Sequence, residues 1–347
     1  MNDQTLIQIL NTIRSNASEE YQNVIPEATR NNLSAVGNPL LEHVSLRNEF
    51  TNSLINRIAF VRISSLIAKN PLEILKKGNK PLGDDVQEIF INMANGQTFD
   101  PTGKNLLSRA LPDVKAIYHR MNRKDQYKVT IGRQDLAKAF TNWNELGQFI
   151  QGCINSLYSG DAYAEFVLFK NVITEVIKNN GIKKVTLNGD PCESETYATQ
   201  FVKAVKTISL GMTFMSSDYN AYLDVQSKDT KAVKTFTPKE NQIIIIDSAT
   251  SVSVDVDVLA KAFNLTKAEF LARQIVIDAF SDPTIRAVVM DIGTTQIYDD
   301  LFELDSFYNP EGKYMNYYLD HWQTVSLSCF TNAVAFAVPE TTETTEE

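Results

Sequence analysis

Cysteine is scarce in this chain. Cys153, Cys192 and Cys329 stand far apart among 347 residues, and no two share a CxxC spacing. A zinc or redox site has little support, and an odd count without a disulfide framework suits a reducing interior. Histidine is as thin: His43, His119 and His321 have no carboxylate or cysteine at metal-ligand spacing in sequence. No apolar run is long enough to span a membrane. The opening MNDQTLIQILNTIRSN lacks the basic lead and unbroken apolar core of a signal peptide. G-x-S-x-G, H-E-x-x-H, Walker A and G-x-G-x-x-G are all missing, and there is no internal repeat. The sequence therefore leads us to expect no catalytic site, no cofactor and no metal.

What is present is ordinary in bulk and unusual in layout. Hydrophobic residues make up 43% and charged residues 22%, which suits a soluble chain of two or three domains. A net charge of −9 argues against a surface that grips nucleic acid all over, though not against a local basic patch. The organising stretch is 144–180. Leu146, Phe149, Ile150, Cys153, Ile154, Leu157 and Tyr158 recur at helical spacing, and the stripe resumes through Phe166, Phe169, Ile173 and Ile177. We read one rod of roughly 50 Å, capped at Asn144, bent at Gly160 and stopped by Asn180-Gly181. Helices average about 11–12 residues, so such a rod among strands suggests a spine with sheets attached.

Around it the chain divides readily. Residues 1–20 predict an amphipathic helix that docks on another element or subunit. Residues 21–48, rich in Asn, Pro and Gly, predict an extended arm. Residues 84–131 predict a two-stranded excursion, with 85–91 as one arm and 114–131 as the other, contributing little to its own core. Short strands are expected at 185–191, 242–247, 273–280 and 285–292, with SVSVDVDV alternating in strand fashion. A helix is expected at 195–210, an aromatic β-prone region at 296–338, and frayed acidic residues at the end.

Charge is segregated. Between Lys104 and Lys138 nine basic residues face three acidic ones, a net of +6; between Lys239 and Asp305 the net is −7. A basic protrusion and an acidic body could dock head to tail between copies. The candidate inter-subunit contacts are Arg109, Arg120, Arg123, Lys124 and Lys128, with Arg120, Arg123 and Lys124 at the ribbon tip. Other motifs are weaker. Asp255-x-Asp257 lacks the oxygens and glycine of a calcium loop, and Asp299, Asp300, Glu303 and Asp305 show no paired cleft residues. DVLAKAFNLTKAEFL at 257–271 imitates a helix-turn-helix. Its second helix is short, offers mainly Lys267 and Glu269, and lies in the acidic half, so a structural helix pair fits better.

Longer runs carry a resemblance. VDVDVLAKAFNL (254–265) and IYDDLFELDSFYNPEGKYMNYYLDHWQTVSLSCFTNAVAF (297–336), with IPEATRNNLSAVGNPLL (25–41), NEFTNSLINRI (48–58) and NPLEILKKGNKPLG (70–83), are similar to the major capsid proteins of small short-tailed Picovirinae-type phages. The resemblance extends over about residues 20–338. It implies the Johnson fold, an α+β capsid fold. The expected layout is an N-terminal arm at 1–45, peripheral-domain segments at 46–77, 139–192 and 297–338, an extended loop at 78–138, an axial domain at 193–296 and an acidic tail at 339–347. Some relatives carry an immunoglobulin-like domain after the shell domain, whereas this chain ends in that tail. The implied function is a shell protein forming hexamers and pentamers of an icosahedral or elongated virion head around double-stranded DNA. Scaffolding protein and portal would be partners, no membrane is involved, and assembly would take place in the host cytoplasm. The alternatives are the shell of an enzyme-loading compartment on the same fold and a helix-turn-helix regulator.

Overall fold

A computed structural model describes residues 3–60, 70–96, 98–99, 101–102, 109–226, 231–254 and 274–339. The helices are α1 Asp3–Ser15, α2 Glu19–Val24, α3 Leu33–Glu42, α4 Val44–Phe60, α5 Arg133–Ala139, α6 Trp143–Ile154, α7 Gly160–Lys178, α8 Glu195–Gly211, α9 Tyr222–Val225 and α10 Ser248–Ser253. The strands are β1 Gly78–Asn79, β2 Val86–Ile91, β3 Val114–His119, β4 Arg123–Gly132, β5 Lys183–Thr186, β6 Gln242–Asp247, β7 Gln274–Ile277, β8 Ile285–Asp291, β9 Thr295–Asn309, β10 Tyr314–Leu327 and β11 Ala333–Ala337. The chain divides into two compact units. The first holds Met1–Asn70, Arg123–Glu165 and Asp300–Trp322; the second holds Pro71–Asn122, Phe166–Asp299 and Gln323–Glu347. These limits differ from the expected domain layout, since residues 323–337 fall with the second unit rather than with the strands before them.

The first unit is mainly helical. Leu6, Leu10 and Ile13 of α1 are buried, as their spacing predicts. Residues 21–48 are not an extended arm. Ser18 accepts the Tyr21 N–H and opens α2. Leu33, Val36 and Leu40 of α3 join Leu6, Leu10 and Tyr21 in one core with Leu146, Ile150 and Leu157. The i, i+3, i+7 stripe in α3 outweighs the Pro and Gly content that reads as loop. Gly37 serves packing, because a Cβ there would lie 2.5 Å from the Phe140 Cβ. The loop at 25–28 is tied to α1 by Asn11, which bonds both the N–H and the C=O of Ala28.

The predicted rod is present as α6, a π-helical stretch at Asn155–Ser159, and α7, following one another without a break. The irregularity therefore precedes Gly160. A π segment accommodates one extra residue within a helix, a device common at functional sites. The start is also displaced: Asn142, not Asn144, accepts the Glu145 N–H and caps the helix. The stop falls where the sequence places it. Asn180 takes a φ of 58°, its N–H bonds the Ile177 carbonyl, and the Gly181 N–H bonds the Val176 carbonyl at 2.7 Å. These two bonds form a Schellman motif. A Cβ at Gly181 would sit 2.6 Å from the Val176 Cγ1.

The second unit is built on a five-stranded sheet ordered β5-β11-β8-β6-β7. Strands β11 and β5 are parallel, as are β6 and β7, while β8 runs antiparallel to both β11 and β6. Alternating residues fill two cores. Ile243, Ile245, Val288, Met290 and Ala335 meet Phe169, Ile173 and Ile177 of α7. Ile244, Ile246, Val289, Val334 and Phe336 meet Phe201, Val202 and Val205 of α8. The run QIIIID is thus apolar on both faces because a helix covers each one. The SVSV segment is not a strand: residues 248–253 form α10, capped by Asp247 accepting the Thr250 N–H. The helix-turn-helix imitation at 257–271 lies outside the described residues.

The excursion at 84–131 is two things. Strands β2 and β3 form an antiparallel ribbon registered from Val86↔His119 to Ile91↔Val114. Strand β4 leaves it for the edge of a different sheet, ordered β1-β9-β10-β4. Nor is the ribbon free of its own subunit. Phe90 stacks on Phe330 at 5.5 Å, and Phe330 stacks on Tyr222. Lys115 lies over the Tyr222 ring at 4.6 Å. Beyond the end of β2, the Asn92 side chain bonds Asp113 and the Ala232 carbonyl.

Candidate subunit-contact surfaces

Burial along β4 alternates, as a half-buried edge strand requires. On its open side, residues pair with β10 in opposite order. Lys124 lies over the Trp322 ring at 5.0 Å and Gln126 donates to Asp320 at 2.8 Å. Lys128 lies over the Tyr318 ring at 5.6 Å and Thr130 donates to Asn316 at 2.6 Å. Numbers rise on one strand as they fall on the other, the mark of an antiparallel pair. Lysines held over aromatic rings keep their charge toward solvent on a rigid base, at roughly 0.5–1 kcal/mol per contact. On β9, Glu303 and Asp305 are exposed.

Arg123 is not on this open side. It is 4% exposed and donates to Asp125 at 2.7 Å, Tyr127 at 3.0 Å and Asp161 at 2.7 Å. Asp161 also contacts His321 Nδ1 at 2.8 Å. Burial pulls the guanidinium pKa down, and the Asp125 and Asp161 carboxylates more than restore it. Burial pushes Tyr127 up to about 12 against the pull of Arg123. As the first residue of β4, Arg123 points to the covered side, so it braces its own subunit and is removed from the candidate contacts. Arg120 is exposed and ion-paired with Asp85 at 3.0 Å, and Arg109 is exposed ahead of β3. Neither Arg120 nor Lys124 is at the ribbon tip. The tip end is Ile91↔Val114, and residues 120–122 connect the opposite end of β3 to β4.

A second surface was not anticipated. The outward side of the ribbon is apolar: Ile89 is 55% exposed, Ile91 61%, Val114 51% and Tyr118 57%. Met93, Phe99 and Leu111, in the segments beyond the ribbon's end, are exposed as well. An exposed apolar strand face of this kind marks an interaction site. The clue in the sequence is V-Q-E-I-F-I, where apolar residues occupy both faces of a strand with only one face covered.

Residues 10–337 match the family described as Phi29-like phage major capsid protein. The chain belongs to that family. The major capsid protein of Bacillus phage B103 is 34% identical over 332 residues, covering 94% of this chain and 72% of that one. The major capsid protein of Streptococcus phage Cp-1 is 30% identical over 357 residues, covering 96% of this chain and 94% of its own length. Among solved structures, a chain in the capsid of Staphylococcus phage Andhra superposes with a TM-score of 0.64 at 14% identity, covering 79% of this chain and 86% of that one. The fold is therefore the α+β Johnson fold of tailed-phage capsids. In a Phi29-like capsid protein the two exposed surfaces are the features to weigh, because subunit contact is the work to be explained. Two of the three histidines gain partners that the sequence did not show: Asp161 for His321, and Glu88 and Ser326 for His119.

Proposed function

We propose that this chain is the repeating subunit of a phage head, assembling as hexamers and pentamers into an icosahedral or elongated shell around double-stranded DNA. The observation that carries the reading is the family match over residues 10–337, with relatives named major capsid proteins. Its physical support is a subunit with its own cores that still exposes an apolar ribbon face. Such a face is satisfied by lying on the next copy, in a heterologous contact that each copy repeats. Arg109, Arg120, Lys124 and Lys128 supply positive charge toward the acidic body of a neighbour or toward DNA phosphates. Contact with DNA is non-specific and salt-sensitive. The layout of extended loop, peripheral and axial segments is kept as part of this proposal, with the N-terminal segment folded onto the first core rather than extended as an arm; so are the scaffolding protein, the portal and assembly in the host cytoplasm. Electron microscopy of the purified chain, alone and with a scaffolding protein, tests it. Closed shells or lattice sheets are expected. Only monomers in both arms, or shells that carry an enzyme cargo in place of DNA in infected cells, would overturn it.

A further inference from the structure

His119 is 3% exposed and sits in a three-member relay. Ser326 Oγ contacts its Nδ1 at 2.7 Å, and its Nε2 faces Glu88 Oε2 at 3.1 Å. The other Glu88 oxygen accepts from Ser328 Oγ at 2.8 Å, which fixes the carboxylate. A nucleophile, a base and a group that orients the base, each in hydrogen-bond reach of the next, are recognised by geometry and role rather than by sequence order. Here the parts come from β2, β3 and β10, which is why no motif in the sequence announces them.

Ser326 also lines a cavity of about 520 Å³ within the second unit. Ile117, Val172, Val176, Val225 and Leu327 supply its apolar wall, and Asn171 and Gln226 supply amides. That size and lining are those of a small-ligand pocket. Glu175 on the same wall disfavours an anionic guest.

We propose that Ser326 is an acyl-accepting serine, and that the cavity beside it takes the short aliphatic acyl chain of an uncharged ester or thioester. In the step, the Ser326 oxygen forms a bond to the acyl carbonyl carbon. The bond from that carbon to the alcohol or thiol breaks, and its electron pair leaves with that group. The serine proton passes to His119 Nδ1 and then to the departing group, while His119 Nε2–H stays on Glu88. The products are an acylated serine and a free alcohol or thiol. Glu88 is a positioning residue. The inference does not rest on the shell reading.

The test incubates the folded, full-length protein with p-nitrophenyl butyrate, follows p-nitrophenolate release and maps the butyryl group by peptide mass spectrometry. Mapping needs no variant, so it stays readable if a substitution disturbs folding. Ser326 should be the dominant adduct, reaching one group per chain. Ser326→Ala should abolish that adduct, and Val176→Trp, which narrows the cavity, should slow it. His119→Ala should slow it about 100-fold, the scale of general-base assistance, with added imidazole restoring part of the rate. Glu88→Gln, which keeps an oxygen for Nε2–H, should acylate faster than Glu88→Ala. Butyryl groups spread over surface residues with no excess at Ser326 would overturn the proposal. So would unchanged Ser326 acylation in His119→Ala or Val176→Trp.

Discussion

At the scale of single residues, the thiols make the simplest test of burial. Burial pushes Cys153 and Cys329 each up to about 12, so neither forms thiolate near neutrality. Cys192 is exposed. Iodoacetamide at pH 7.5 should therefore label Cys192 within minutes and leave the other two untouched until denaturant is added. Labelling of Cys153 in the native protein would show that its core opens, whereas labelling of Cys329, which lines the cavity beside Ser326, would report reagent entering that cavity. Gly181 is the backbone counterpart. A side chain there meets both Val176 Cγ1 and, at 3.1 Å, the Val176 carbonyl. Gly181→Ala should destabilise by about 1–3 kcal/mol, as overpacking does, seen as a lower urea midpoint at unchanged slope.

At the scale of elements, the ribbon is the part to perturb. Ile89→Glu with Ile91→Glu places charge on positions already more than half exposed, where substitutions usually stay within about 0.5 kcal/mol. The isolated subunit should keep its circular dichroism and melting temperature but lose the ability to form shells. Intact shells from this variant would mean the apolar face is not a contact. Removing all of 84–131 is a poorer experiment, because it also takes β4, whose Ile131 belongs to the first core. This is where reading the sequence falls short in an instructive way. The spine, the ribbon strands at 86–91 and 114–119, α8 and the buried strand QIIIID are legible because each has a strong local period. Asn180-Gly181 is legible because the stop is chemical and local. That β4 leaves the ribbon is not legible, because 114–131 reads as one β-prone run and the partner, β10, is some two hundred residues away. Arg123 looks like its neighbour Lys124, yet strand alternation sends one inward and the other outward. Residues 21–48 are misread because Pro39 and Gly37 resemble loop chemistry, when the close approach of Phe140 explains the glycine.

At the scale of the molecule, the acid limb of stability follows from a few carboxylates in the second unit. Burial alone would raise Asp190, Asp278 and Asp282. Hydrogen bonds from Arg286, from Lys170 and from Thr284 respectively outweigh it and hold all three low. A carboxyl with a depressed folded pKa contributes stability that is present above its unfolded pKa and lost as pH falls through the folded one. The melting temperature should therefore be flat from pH 7 to 5 and decline below about pH 4, the ordinary carboxylate range. Asp190→Asn should lower the plateau and shallow the decline. An unchanged profile in that variant would place the acid sensitivity elsewhere.

The place of β11 in its sheet governs when this molecule can fold. The strand lies between β5 and β8, at Ala333–Ala337, with every residue buried. Its parallel neighbour β5 was made about 150 residues earlier, and the two cores of that unit close only when β11 slides between its partners. At roughly 5–20 residues per second of synthesis, β5 waits for many seconds without the strand that completes it. Contacts this distant along the chain are also slow to form. The edge of β8, made at residues 285–291, stays open for the last part of that interval, and an open edge invites the wrong partner. A ribosome stalled before residue 333 would release a chain with both cores unfinished.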